Sequence, residues 1–233
     1  MDNEQENVIY SSDYSIREVN GMLSKTFTRM FTGLLITAVA AILTYRTSLI
    51  NIVINFYWLL AIAEIALVIV FSLGFRKMSP GTVTTLYYAY AALNGVTLST
   101  IFLVYNIGLI GKSFLMTSLL FGALAYYGHT TEKDLSKFGT ILTVALLVGI
   151  IASIINLFLR SSMFEFVLDW IMLLVFSGLT MYDMNRMKAM GSLIETDSAS
   201  TDKLYVYCAM QLYLDFINIF LRILKLLGRS NRR

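Results

Sequence analysis

Five polar residues near the C-terminus, Gln211, Asp215, Asn218, Arg222 and Lys225, succeed one another at steps of 4, 3, 4 and 3. That rhythm puts all five on one face of an α-helix, with only Leu, Ile, Phe and Tyr between them. Ser177, Thr180 and Asp183 recur at steps of three in a second apolar stretch, and in a third, steps of four lead from Glu64 through Val68 and Ser72 to Arg76. Carboxylates in such settings offer two kinds of chemistry. Their oxygens suit hard divalent cations. Two of them side by side share a proton, which makes the site sensitive to pH or activates a water molecule.

Each residue also has a plainer reading. Gln211 and Asn218 serve equally well as hydrogen-bonding glue between helices. Arg222 and Lys225, close to the end of their stretch, have the reach to snorkel to lipid headgroups, and Arg76 can simply anchor a cytoplasmic helix end. Asp183 lies close enough to a boundary to be exposed there. Asp215 and Glu64 are harder to dismiss, because an ionisable group at the centre of a bilayer span costs roughly 2.5 to 3.5 kcal/mol on insertion scales. Asp215 marks a functional position, and Glu64 a candidate for the ion pathway.

The elements that must carry these residues follow from composition. Of 233 residues, 57% are hydrophobic and 14% charged, whereas a soluble domain carries about 25% charge. A spanning helix needs roughly 20 apolar residues, and hydropathy divides the chain into seven such spans. They run from Thr26 to Tyr45, Leu49 to Phe75, Thr82 to Tyr105, Ser113 to His129, Phe138 to Leu159, Trp170 to Lys188 and Leu204 to Leu227. The second is overlong, and Tyr57 with Trp58 marks an interfacial start within it. Residues 1–25 form a polar, acidic tail expected to be loosely ordered, 26–228 a single transmembrane domain of seven helices, and 229–233 a basic C-terminal tail. The tail lacks the basic and apolar regions of a secretory signal.

This organisation excludes a globular enzyme on a membrane anchor and a nucleic-acid binder built on a basic surface. One cysteine, Cys208, precludes an internal disulfide. A single His129 makes a zinc site built on several His or Cys ligands untenable, and the twelve methionines read as core filling. Tyr87, Tyr90, Asn94 and Thr97 give the third span a polar face, with Gly95 open to a close neighbour. Lys and Arg in the loops, Lys25, Lys77, Lys133 and Arg186 among them, favour a cytoplasmic N-terminus. The basic residues from Arg222 to Arg233 pull the other way.

Two stretches carry a family resemblance. Phe176-Ser-Gly-Leu-Thr-Met-Tyr-Asp183-Met-Asn185 and Leu212-Tyr-Leu-Asp215-Phe-Ile-Asn218-Ile-Phe220 resemble the paired aspartate signatures of the Bax inhibitor-1, or transmembrane Bax inhibitor motif, family. Leu93-Asn-Gly95-Val-Thr-Leu-Ser99-Thr-Ile-Phe102 is similar to its third-helix pattern. The resemblance extends over about residues 20 to 228 and is of the bacterial type. It implies an all-α integral membrane protein with the seventh helix central and helices 1 to 6 around it. It also implies a calcium leak controlled by pH through Asp183 and Asp215, these two being the tentative calcium ligands, with Arg76 as a basic latch and Lys77 as its second choice. Calcium is then the transported ion and no cofactor is required; the partners are the lipid bilayer, calcium and protons, with no nucleic acid.

Two other function classes compete. An intramembrane aspartyl protease would use the same two aspartates, but the Gly-x-Gly approach of presenilin-type enzymes is occupied here by Leu212, Tyr213 and Leu214. A non-conducting regulator that binds a membrane protease or a cell-death component is the alternative to the channel. For the channel, geometry sets a condition. At 1.5 Å per residue Asp215 lies ~15 Å below Tyr205 and Asp183 only ~7 Å below its boundary. Contact therefore requires tilt and a sixth helix that continues past Asp183 to about Met190.

Overall fold

A computed structural model describes residues 2–75, 77–191 and 198–230, with side chains from 20 to 75, 77 to 190 and 201 to 230. All regular structure among the described residues is helical: α1 (Asp2–Arg46), α2 (Leu49–Asn55), α3 (Tyr57–Gly74), α4 (Pro80–Leu98), α5 (Ile101–Val104), α6 (Ile107–Thr130), α7 (Ser136–Leu159), α8 (Ser162–Gly191) and α9 (Ser198–Ser230). Seven spans are long and apolar enough to cross a bilayer: Asn20–Arg46, Tyr57–Gly74, Pro80–Val104, Ile107–Thr130, Ser136–Leu159, Ser162–Met190 and Thr201–Ser230. Ile62, Ile65, Leu73 and Phe158 point outward, each more than half exposed. Lipid is the solvent that accommodates such a surface, and the chain is an integral membrane protein.

Local chemistry sets the helix ends. Ser79 caps α4 by accepting from Thr82 N at 3.2 Å, with Pro80 at the first helical position where its missing N–H costs nothing. Ser99 and Thr100 turn their hydroxyls back onto Val96 O (2.6 Å) and Thr97 O (2.9 Å), and the third span breaks there into α4 and α5. The fourth span starts earlier than the sequence pattern indicates. Asn106 caps α6 through Leu109 N at 2.8 Å, so Gly108 and Gly111 fall inside its opening turns instead of ending the third span. The overlong second span resolves into α2 and α3, broken at Phe56 beside the aromatic pair Tyr57 and Trp58. The acidic tail, expected to be loose, continues α1 as helix from Asp2; between it and the span lies only Gly21 as a helix-weakening residue.

The chain divides into two compact units, Met1–Val104 with Lys188–Tyr213, and Tyr105–Met187 with Leu214–Arg233. In the first, α1 meets α4 so closely that a Cβ on Gly95 would fall inside the contact shell of the Thr37 carbonyl oxygen. In the second, Gly128 of α6 meets the Met181 carbonyl of α8 in the same way. Backbone cannot step aside as a flexible side chain can. Gly95→Ala and Gly128→Ala should therefore each lose about 1 to 3 kcal/mol, whereas Gly122→Ala, with nothing within 4 Å of the added carbon, should be neutral or stabilising. Thermal unfolding in mild detergent checks this; equal melting temperatures for all three variants would contradict the packing.

The seventh span is the most buried of the seven, with 67% of its apolar window shielded against 44% for the sixth. Val206, Ala209, Tyr213 and Ile219 are fully covered.

Candidate functional site

α8 does continue past Asp183, to Gly191, and this length brings the two aspartates together. In the second unit the Asp183 carboxyl lies within hydrogen-bonding reach of Asp215. Asp215 is only 4% exposed, and Asp183 is half-buried. Two carboxylates have no proton to offer each other, so a hydrogen bond between them requires one proton on the pair. The rest of the lining fits that state. Thr180 stands within reach of Asp215, but its only proton goes to Phe176 O at 2.9 Å. Its lone pairs can then only accept. Asp215 Oδ2 is buried with no hydrogen-bond partner.

The cation beside Asp183 in the described structure is Arg186, one turn further along α8 and exposed. Arg76, the expected latch, lies outside the described residues. Lys77 follows it and is exposed.

Glu64 belongs to the first unit, where it ends a chain of polar contacts across α1, α4, α9 and α3. Tyr213 OH lies 2.7 Å from Thr37 Oγ1 and donates to Asn94 Oδ1 at 3.1 Å. Asn94 Nδ2 in turn donates to Glu64 Oε2 at 3.4 Å. Thr97 is also within reach of Glu64, whose Oε1 is buried and unpartnered. Thr37 Oγ1 also lies within donating distance of Gly33 O (3.0 Å) and Ala91 O (2.9 Å), so the run of donors toward the carboxylate begins at Tyr213 and passes through Asn94. The polar face of the third span thus meets Glu64. Thr37 and Tyr213 are the members that spacing alone did not single out. Tyr213 sits within the Leu-Tyr-Leu-Asp signature, and Thr37 leaves no sequence signal beyond being a threonine in an apolar run.

The remaining stripe on α9 divides by role. Gln211 Nε2 donates to Tyr207 OH at 2.9 Å and Asn218 Nδ2 to Leu214 O at 2.8 Å, both within α9. Arg222 and Lys225 both find carboxylates on α8. Arg222 Nη1 bonds the buried Asp169 Oδ1 at 2.6 Å, and Lys225 Nζ bonds Glu165 Oε1 at 3.1 Å. These cations explain why α8 begins at Ser162, two turns before the expected Trp170: Glu165 and Asp169 are neutralised in place and need not sit at an interface.

Comparison with known proteins shows the family of the chain. A family model described as "Inhibitor of apoptosis-promoting Bax1" matches residues 19–232. The chain belongs to the Bax inhibitor family. The inner membrane protein YbhL of Escherichia coli K12 is 40% identical over 224 residues, covering 91% of this chain and 92% of the relative. An uncharacterized Borreliella burgdorferi protein is 37% identical over 214 residues (90% and 92% covered), and an uncharacterized membrane protein of Streptococcus pyogenes serotype M3 is 34% identical over 233 residues (97% and 99%). Family membership thus spans both units, and the aspartate pair and the Glu64 chain lie inside the matched region.

Proposed function

We propose that this Bax inhibitor family protein is a pH-gated leak through which calcium crosses the membrane down its gradient, with Asp183 and Asp215 as the proton sensor. The observation that carries the reading is the meeting of two carboxyls from different helices at a largely desolvated position, one of them with an oxygen that satisfies nothing. A structural hydrogen bond would be better made by a Ser or Asn, which carries no charge to desolvate. Two carboxyls change charge with pH, and that is their distinguishing property.

In the closed state the pair holds one proton and one negative charge. That charge attracts Arg76, the proposed latch, and pins the helix bearing Glu64. As pH falls a second proton cancels the attraction, and the path past Glu64 opens. Calcium is the favoured ion because its ligands along such a path would be carboxylate oxygens. The reading is of conduction rather than catalysis, and what supports it is that the bulky Leu212, Tyr213 and Leu214 stand where presenilin-type enzymes carry their Gly-x-Gly approach. The same reading places the protein in the cell membrane with its N-terminus in the cytoplasm.

Purified protein in calcium-loaded liposomes provides the test. Efflux should exceed that of empty liposomes and rise as pH is lowered from about 8 to 6. Efflux equal to protein-free liposomes at every pH would sink the channel and leave the regulator, for which affinity capture from native membranes is the corresponding measurement.

A further inference from the structure

A groove of about 1000 Å³ lies in the second unit among α6, α8 and α9. Met116 and Leu120 form one wall, Phe166, Trp170 and Leu173 another, and Leu227 closes it beside Arg229. Met116 and Trp170 are each 49% exposed, so the groove opens onto the outer surface of a membrane-spanning element. A smaller hollow of about 390 Å³ shares Met116, Leu227 and Ser230 with it and adds Lys112.

Charge at this end is unbalanced. Asp169 is taken by Arg222 at 2.6 Å, while Lys225 (3.1 Å) and Arg229 (3.6 Å) divide the single carboxylate of Glu165. Lys112 has no ion pair among the described residues. Two positive charges are therefore left over beside an apolar cleft. Water gains little there, because the walls offer it few polar partners. The bilayer supplies a molecule with both required parts, an acyl chain for the walls and a phosphate for the guanidinium and ammonium groups.

We propose that this groove holds one anionic phospholipid, its acyl portion along Met116, Leu120, Trp170 and Leu173 and its phosphate at Arg229 and Lys112. The site is independent of the calcium reading. Arg229 already lies over the Phe166 ring, 5.4 Å from its centroid, which holds the guanidinium at the mouth of the groove.

Native mass spectrometry of the full chain in mild detergent, with phosphatidylglycerol and phosphatidylcholine of identical acyl chains as probes, tests this. One phosphatidylglycerol per chain should be retained, about tenfold more tightly than phosphatidylcholine. The double substitution Arg229→Gln with Lys112→Gln should erase that preference, and Arg229→Lys should keep most of it. Leu173→Trp fills the groove without touching a charge and should weaken retention of both lipids. Equal retention of the two lipids by the unmodified protein would overturn the proposal. So would undiminished retention by Leu173→Trp, or an equal loss of preference when Lys133 and Lys137, which line neither hollow, are changed to Gln.

Discussion

Calcium efflux through the Asp183→Asn and Asp215→Asn proteins should vary by less than about twofold between pH 6 and 8, whereas a gate controlled by one proton changes roughly tenfold per pH unit on its titrating limb. Asn keeps the size of Asp and mimics its neutral form, so the packing of Phe176, Thr180 and Phe216 around the site is retained. If both variants reproduce the original pH profile, the pair is not the sensor. Arg76→Gln gives a separate check: loss of the latch should raise efflux at alkaline pH while the pair itself still titrates.

The second large effect concerns stability. Asp169→Ala should lower the unfolding free energy by about 3 to 5 kcal/mol, because it leaves the Arg222 guanidinium largely buried without its carboxylate. The geometry is the reason for so large a figure. Nη1 and Oδ1 stand 2.6 Å apart, and the two side chains are only 18% and 4% exposed. Replacing both partners, Asp169→Leu with Arg222→Met, removes the two charges together and should cost little or even stabilise. By contrast Glu165→Ala, whose partners Lys225 and Arg229 are about a third or more exposed, should cost less than about 1 kcal/mol. Thermal unfolding of the four proteins in one detergent decides the matter. A single Asp169→Ala no worse than the double replacement would mean that water or lipid headgroups solvate Arg222 and the pair is not a desolvated one.

The seven apolar spans were legible in the sequence because the bilayer imposes a length and a hydrophobicity on each helix regardless of its neighbours. The polar faces were legible too, since a 3.6-residue period belongs to one helix alone: Gln211 through Lys225 on α9, Asn94 with Thr97 on α4, Asp183 with Thr180 on α8. Motif resemblance went further and pointed to Asp183 and Asp215 as a pair. Which face meets which was decided only by tertiary packing. Asp169 and Arg222 are 53 residues apart, and Tyr213 and Asn94 119; no local period encodes such distances. Their meeting depends on how closely helices approach, and Gly95 against Thr37 and Gly128 against Met181 set that approach. Of the boundaries that shifted, Asn106 is a local cap and Phe56 a local break, whereas the one at Ser162 rests on tertiary contacts. Glu165 and Asp169 inside a span are costly in hydropathy terms only until cations from another helix neutralise them, and those partners are visible only in three dimensions.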